Sequence, residues 1–430
     1  MSAVLARFFP RFGDDRPKVI GPADPVMTAA VVALVAFGVV MVYSASAVFA
    51  DSRYDDPFHF LVRQSIFATL GLGVCFTVAR FDYHGYRRFT YPVLAGAVLL
   101  LLIVVLGFGR AAGGAARWIQ LGPINVQPAE MAKLSIILWL AYSLSKKAEQ
   151  IRSFEIGFLP HAMVAGFLML LCLKQPDFGS AVMIGLLTFT LLFTAGARLG
   201  YLLGAILLAA PAVYALIAFS PYRMRRIQAF LEPFEHRYGI GYQIAESLMS
   251  FGAGGATGVG IGDSRQKLLF LPEAHTDFIS AIVGEELGFL GISLLLLTYV
   301  LLVVRGLRAA HQAADDYGAY LAVGITVFLG MQAFTNLAVA MGMLPTKGLV
   351  LPFMSYGGSS LLVNCAAVGI LLNVSRPRDA EEVTEEEAPA APSNEKRTKR
   401  AAAKAEKKKS GRRGGRRGNQ RLGEAAGGEA

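Results

Sequence analysis

The stretch DFISAIVGEELGFLGISLLLLTYVLLVV, Asp277 to Val304, decides the fold. It is longer than the roughly 20 apolar residues that a helix needs to cross a bilayer core of about 30 Å. Its first residue is an acid, and Glu285 and Glu286 lie inside it. Ionisable groups are costly at membrane depth, so each of them is a candidate functional residue. The stretch therefore predicts a transmembrane helix with a candidate functional residue at one end.

Apolar windows of similar length recur along most of the chain, which has 430 residues, 54% of them hydrophobic and 17% charged. This composition predicts an all-α polytopic membrane protein. We count about ten transmembrane helices, at Pro25–Phe49, Phe60–Ala79, Tyr91–Phe108, Pro128–Leu144, Phe158–Leu173, Gly179–Thr194, Leu199–Phe219, Asp277–Val304, Ala319–Met343 and Ser355–Val374. The three cysteines, Cys75, Cys172 and Cys365, fall inside these spans and are interpreted as packing residues.

Lys and Arg in the short loops predict the orientation, because cytoplasmic loops retain positive charge. Both termini are placed in the cytoplasm. Residues 1–24 form an N-terminal segment, residues 25–376 form the membrane domain, and residues 220–276 form a large extracytoplasmic loop between helices 7 and 8. Residues 377–430 are acidic and then basic, which is typical of a disordered tail. Such a tail favours contact with anionic lipid or an acidic protein over nucleic acid.

Ionisable residues collect at the outward ends of the predicted spans. Glu130 and Lys133 are three apart on one helix face, so they can form a self-neutralising pair or act on a substrate, and their spacing leaves both interpretations open. The preceding segment, Arg117 to Gln127, is short and apolar, which favours a loop that re-enters the protein. The remaining members of this outward group are Lys174, Asp177, Asp277 and Lys347.

Asp277 itself has two interpretations. It can cap the helix that follows, or it can act as a catalytic base. Capping would lower its pKa, whereas partial burial would raise its pKa. For Glu285 and Glu286 a packing or gating role inside the bundle is favoured over direct chemistry.

Two further segments lie in the predicted outer loop. The segment GAGGATGVGIGDS, Gly252 to Ser264, fits neither nucleotide-binding glycine pattern, and it is interpreted as a flexible loop that approaches a ligand, with an inert linker as the alternative. Arg223, Arg225 and Arg226 suit helices at the outer interface, and either anchoring or phosphate binding is possible for them.

Five motifs in chain order resemble the SEDS family, the shape, elongation, division and sporulation proteins. They are ARWIQLGPINVQPAEMAK, KQPDFGSA, GIGYQIAESLMSFGAGG, GDSRQKLLFLPEAHTDFISAIVGEELGFLG and GMLPTKGLVLPFMSYGGSSLL. The resemblance runs from about Asp24 to Arg376, and within the family it is strongest to the division members. It implies ten helices with cytoplasmic termini and peptidoglycan glycosyltransferase activity on lipid II at the outer face. It also implies a partner, a class B penicillin-binding protein transpeptidase, and a place at the division septum with other divisome membrane proteins.

By the same resemblance, Asp277 corresponds to the essential aspartate of the family, and we expect it to act as the general base. The predicted substrate-binding residues, which include the cations expected to stabilise a departing pyrophosphate, are Arg117, Glu130, Lys133, Lys174, Asp177, Arg265, Lys267, His275, Lys347 and Ser355. A divalent ion such as Mg²⁺ or Mn²⁺ is compatible with this chemistry, its ligands are not predicted, and no organic cofactor is expected. Two alternatives are a lipid II flippase and a non-catalytic divisome scaffold.

Overall fold

The computed structural model describes residues 19, 21–112, 115–122 and 124–378, so the predicted tail lies almost wholly outside the described residues. The described helices are numbered here in chain order: α1 Pro25–Tyr54, α2 His59–Arg80, α3 Thr90–Ile103, α4 Pro128–Lys146, α5 Leu159–Lys174, α6 Phe178–Thr194, α7 Leu199–Ala218, α8 Pro221–Leu231, α9 Tyr242–Gly254, α10 Ile279–His311, α11 Asp316–Ala340 and α12 Gly358–Val374.

The predicted all-α polytopic class is confirmed, the chain is a multi-pass membrane protein, and a helix lies at each of the ten predicted spans. Seven helical segments are long and apolar enough to cross a membrane, and α6 and α12 are shorter apolar helices. The tenth is α4, which is buried along most of its length and carries Glu130, Lys133 and Lys146. Among the seven long segments α11 is the most buried, and it packs against α10, α4, α12 and α6.

The first and last membrane helices begin and end at the same side of the bundle, as an even number of spans requires. Asp24 caps α1, and its carboxylate accepts a hydrogen bond from Arg305 at 2.7 Å. Its backbone N–H donates to the hydroxyl of Ser375, just past the end of α12, at 3.1 Å. These contacts tie the predicted cytoplasmic ends of α1, α10 and α12 together.

The segment before α4, which the sequence predicts to re-enter the protein, is a small antiparallel sheet. Its strands are β1 Arg110–Ala112, β2 Ala115–Leu121 and β3 Ile124–Val126, in the order β1-β2-β3. Gly122 follows β2 with φ of +61°, a conformation that glycine adopts at little steric cost and that permits a tight reversal. Strand pairing satisfies the backbone groups that an irregular loop would leave bare.

Helix α10 is interrupted at Gly288, whose φ is +63°. Residues 255–260 pair with the interruption: the N–H groups of Val259 and Gly260 donate to the carbonyls of Glu285 and Glu286, both at 3.0 Å. The N–H groups of Phe289 and Leu290 donate back to the loop at 2.9 and 3.1 Å. The glycine-rich segment therefore pairs with the backbone of a broken helix and is not an inert linker, while its approach to a ligand stays a prediction.

This pairing makes a strong prediction for Gly258. Its φ is +83°, and an added Cβ would lie 2.1 Å from the carbonyl oxygen of Glu286. We expect Gly258→Ala to lower the free energy of unfolding by at least the roughly 1–3 kcal/mol of a non-glycine residue at positive φ. Gly252→Ala, which meets open space in α9, is the matched control. Thermal unfolding in detergent measures both, and equal unfolding temperatures would refute the backbone pairing.

The segment between α11 and α12 enters the interior of the bundle. The hydroxyl of Tyr299 donates to the carbonyl of Pro352 at 2.5 Å, and Gly38, near the midpoint of α1, packs against the carbonyl of Phe353. Helix α12 accordingly starts at Gly358 rather than at the predicted Ser355. Irregular backbone is tolerated at this depth because it is buried in protein.

Candidate active site

Asp277 lies in the loop just before α10 and does not cap it. The helix begins at Ile279 with Phe278 as its N-cap residue, and no side chain caps it. The neighbouring Thr276 hydroxyl bonds instead to the carboxylate of Glu273 at 2.7 Å. The capping interpretation of Asp277 is therefore wrong, and its carboxylate is available for other chemistry.

Protein groups from several elements surround this carboxylate. Gly348, in the segment after α11, approaches so closely that a Cβ there would lie 3.1 Å from Oδ2 of Asp277. The pKa of Asp277 is raised to about 7, chiefly by burial and also by the charge of Glu273, while the charges of Arg226 and Arg117 oppose the rise. A carboxyl with a pKa near 7 is a stronger base than an ordinary one and still ionises at neutral pH.

Four cationic side chains lie around the segment that contains Gly348. Arg226 of α8 donates to the carbonyl of Thr346 at 2.8 Å, and Arg223 donates to the carbonyl of Leu216 at 2.6 Å. Arg223 and Lys347 both face the ring of Phe178, at 5.5 and 5.7 Å from its centroid. Burial lowers the pKa of Lys347.

Arg117 completes this group from β2. Its guanidinium donates to the carbonyls of Gln175 at 3.3 Å and Pro176 at 2.5 Å. In the described part of the chain, none of the ion pairs within 4.0 Å involves Arg117, Arg223, Arg226 or Lys347. The four cations, called here the cation group, thus bond to neutral carbonyls or face a ring and retain positive charge for an anionic ligand.

Lys174 and Asp177 flank the carbonyls that hold Arg117. Asp177 caps α6, since its carboxylate accepts hydrogen bonds from the N–H of Ser180 at 3.0 Å and from its hydroxyl at 2.8 Å. Lys174 is exposed at the end of α5. Asp177 thus stabilises the turn between α5 and α6, and the exposed Lys174 is accessible to a ligand at that turn.

Glu130 and Lys133 form a buried ion pair inside the bundle. Their side chains lie 2.7 Å apart, and they are 2% and 0% exposed. Gln332 of α11 donates to the second oxygen of Glu130 at 3.1 Å, and the Lys133 ammonium faces the ring of Phe328 at 5.5 Å. The structure thus satisfies both charges within the protein, and it favours the self-neutralising interpretation over substrate contact.

The two acids of α10 hold the extracytoplasmic loop. Glu285 accepts hydrogen bonds from the hydroxyl of Ser264 and, at 2.9 Å, from the backbone N–H of Arg265. Glu286 pairs with the ammonium of Lys267 at 3.2 Å. The structure therefore gives both acids a packing role, and Lys267 is engaged inside the bundle while the Arg265 side chain is exposed.

His275 and Ser355 lie in packed positions. The His275 ring contacts the rings of Phe49, Phe60 and Tyr356, at centroid distances of 5.5, 4.7 and 5.9 Å. Burial lowers the pKa of His275, which favours the neutral ring. Ser355 is buried, and its hydroxyl accepts a hydrogen bond from the backbone N–H of Leu351 at 2.8 Å. The structure thus gives both residues packing contacts, and the backbone N–H of Tyr356 donates to the carbonyl of His275 at 2.9 Å.

Arg223 and Arg226 were not predicted from the sequence to belong to the site. Their arginine-rich amphipathic helix was compatible with anchoring or with phosphate binding, and only the fold brings α8 against the segment after α11. A signal was present in their spacing, because positions 223 and 226 share one face of a helix whereas Arg225 is exposed on another.

Comparison with known proteins identifies the family of this chain. A family model described as "Cell cycle protein", for FtsW, RodA and SpoVE, matches residues 25–380. A protein of Geobacter metallireducens named probable peptidoglycan glycosyltransferase FtsW is 49% identical over 83% of this chain and 96% of its own length. A protein of Legionella pneumophila with the same name is 39% identical over 87% of this chain and 96% of its own length.

Solved structures give the same answer. A chain from "Structural coordination of polymerization and crosslinking by a peptidoglycan synthase complex" superposes with a TM-score of 0.68 and 31% identity, over 82% of this chain and 97% of that one. The crystal structure of the rod shape determining protein RodA of Thermus thermophilus gives a TM-score of 0.61 and 30% identity, over 82% and 96%. The chain belongs to the FtsW, RodA and SpoVE family of cell cycle proteins, the SEDS family.

Proposed function

We propose that this chain is a peptidoglycan glycosyltransferase that polymerises lipid II at the outer face of the cytoplasmic membrane, with Asp277 as its general base. Its family membership and its relatives named probable peptidoglycan glycosyltransferase support the reaction class. One observation supports the assignment of the base: the Asp277 carboxylate, with a pKa near 7, lies beside a group of cations that form no ion pair with any carboxylate in the described part of the chain.

The reaction divides between these two parts of the site. Asp277 takes the proton from the 4-hydroxyl of the acceptor lipid II, and that oxygen attacks the anomeric carbon of the donor sugar. The bond from this carbon to the pyrophosphate oxygen breaks, and the lipid pyrophosphate leaves with the bonding electrons. Arg117, Arg223, Arg226 and Lys347 stabilise the negative charge that develops on it.

The location of the site suits a substrate that is itself anchored in the bilayer. Asp277 lies at the outer end of α10, and Lys347 lies in the segment that enters the bundle between α11 and α12. The polyprenyl chain of lipid II stays in the membrane while its pyrophosphate and sugars lie at the surface. Catalytic groups at helix ends can therefore reach the reacting atoms without removing the lipid from the bilayer.

A divalent ion remains a prediction from the sequence. Among the described residues there is no group of three or more His, Cys, Asp or Glu side chains that could hold a metal ion. The charged side chains that act on Asp277 are those of Glu273, Arg226 and Arg117, and two acids beside two cations do not fit a protein-held ion.

The partners and the cellular site are part of the same proposal. A solved relative is described as part of a peptidoglycan synthase complex that joins polymerization with crosslinking. We infer a class B penicillin-binding protein transpeptidase as partner, other divisome membrane proteins as neighbours, and the division septum as location. The similarity to relatives named FtsW supports the septal assignment.

The lipid II flippase and the scaffold are the alternatives. A flippase needs charged groups along a continuous path, and the acids at membrane depth in α10 are engaged by Ser264, the Arg265 backbone and Lys267. A scaffold does not need a carboxyl group with a raised pKa. Neither alternative uses the juxtaposition of Asp277 and the cation group.

The pH dependence of lipid II polymerisation tests the general base. The active form of Asp277 is the carboxylate, and burial raises its pKa to about 7. We expect kcat to rise about tenfold per pH unit below pH 7 and to level off above it. The measurement uses purified protein in liposomes with stable lipid II across the range. A rate that is flat from pH 5 to pH 8 would contradict the assignment.

A further inference from the structure

Asn336 of α11 bonds to both halves of the candidate site. Its side-chain N–H₂ group donates to the carbonyl of Asp277 at 2.7 Å and to the carbonyl of Leu349, also at 2.7 Å. Its side-chain oxygen accepts a hydrogen bond from the hydroxyl of Ser280 at 3.1 Å. One carboxamide, 3% exposed, thus joins the loop that carries the base to the segment that carries Lys347.

We propose that Asn336 is a positioning residue that fixes the Asp277 loop against the segment of residues 347–349 and so sets the distance between the base and the pyrophosphate-binding cations. This inference rests on the proposed function, because it assigns Asn336 a role in the same reaction. Neither the Asp277 loop nor the segment of residues 347–349 is helical, so regular backbone hydrogen bonds do not fix their positions. A side chain with two donors on a buried helix can hold both at once.

The hydrogen-bond inventory of the asparagine explains why this residue type suits the position. Both carbonyls need donors, and the Ser280 hydroxyl needs an acceptor, so one carboxamide satisfies three buried groups. Asp would supply no donor when ionised, and Leu would supply neither donor nor acceptor. An unsatisfied buried carbonyl costs free energy, so the loss of the amide drives the two loops apart toward water.

The face of α11 that carries Asn336 is packed against another helix further along its length. Phe328, Gln332 and Asn336 are spaced four residues apart, so they lie along one face of the helix. Phe328 and Gln332 contact the buried Glu130–Lys133 pair of α4. The same face of α11 therefore packs on α4 through Phe328 and Gln332 and contacts the candidate site through Asn336.

The test compares Asn336→Leu with Ser280→Ala. Leu has the same number and branching of side-chain heavy atoms as Asn but donates no hydrogen bond, whereas the Ser280 variant removes only the contact to the side-chain oxygen and leaves both donors in place. Two readouts are measured on the purified full chain in liposomes or detergent: amide hydrogen exchange in residues 273–278 and 347–351, and the pH profile of lipid II polymerisation.

For Asn336→Leu we expect exchange in both segments to rise by at least tenfold, kcat to fall by at least tenfold, and KM to change by less than about threefold. The acid limb of the pH profile should move to lower pH, because a loosened Asp277 is better hydrated. Ser280→Ala should stay within about threefold of the wild type in every readout. A merely structural role would lower the amount of folded protein without moving the acid limb.

Two results would overturn the inference. One is exchange in either segment that stays at the wild-type level in Asn336→Leu. The other is a fall in kcat with an acid limb that does not move. If the wild type itself polymerises no lipid II, the proposed function fails, and the exchange measurement still decides whether Asn336 joins the two segments.

Discussion

Replacing Asp277 by Asn should lower the rate of lipid II polymerisation by about 10²–10⁴-fold, the usual contribution of a general base, while the protein remains folded. The amide has nearly the same size as the carboxyl and cannot take the acceptor proton. No helix cap is lost, because Phe278 is the N-cap residue of α10. Polymerisation by equal amounts of membrane-inserted protein measures the effect.

The stability of this variant provides an independent check. A carboxyl whose pKa is raised in the fold costs stability as the pH rises from its ordinary pKa to about 7, because the unfolded chain ionises first. At neutral pH the neutral amide avoids this cost. The unfolding temperature of Asp277→Asn should therefore equal or exceed that of the wild type.

Asp263→Asn is the matched control for this experiment, because Asp263 is an exposed acid of the same extracytoplasmic loop. It should polymerise lipid II at the wild-type rate. If Asp277→Asn lost activity only in proportion to a loss of folded protein, the carboxyl would be structural. Wild-type activity in that variant would exclude it as the base.

The second large effect concerns the buried pair of α4. Removing one partner leaves an uncompensated charge in the bundle, which costs about 3–5 kcal/mol. We expect Glu130→Gln and Lys133→Met each to lower the unfolding temperature strongly, since both side chains are almost fully buried. The double variant should recover most of the loss, because neither charge then remains. Thermal unfolding in detergent measures all three proteins.

Lys146→Met supplies the control on the same helix, since Lys146 is exposed at its end and its loss should change little. The polymerisation rate of the double variant then decides between the two interpretations of the pair. A stable double variant with near wild-type activity supports a structural role. Stable single variants that lose all polymerisation would instead support substrate binding by Glu130 and Lys133.

Much of the fold could be predicted from the sequence, because length and hydrophobicity alone define membrane helices. Even α4, with three charged residues, was recognised from its apolar run after Pro128. The break in α10 was not predicted, since Gly288 is an ordinary small residue until residues 255–260 supply partners for the freed backbone groups. The start of α12 was predicted three residues too early, because the sequence from Ser355 to Gly357 does not itself show whether its backbone is helical or irregular.

The candidate site could be predicted only in part. Asp277 was identified by its position and by resemblance, but its pKa depends on burial and on Arg226 and Arg117, which are distant in sequence. Lys267 was assigned to a ligand because it is a cation in an outer loop, whereas the fold pairs it with Glu286. Asn336 carried no signal, because its two carbonyl partners come from segments that only the tertiary structure brings together.

The most direct test of the central claim is polymerisation of lipid II by the purified full-length chain in liposomes, together with its transpeptidase partner. Glycan strands are resolved by length, with and without the partner's crosslinking activity. We predict strands from the wild-type chain and, under the same conditions, about 10²–10⁴-fold slower strand formation from Asp277→Asn. The absence of strands from the wild-type chain, with intact lipid II and an active partner, would contradict the assignment, and lipid II moving between leaflets in the same liposomes would then favour a flippase.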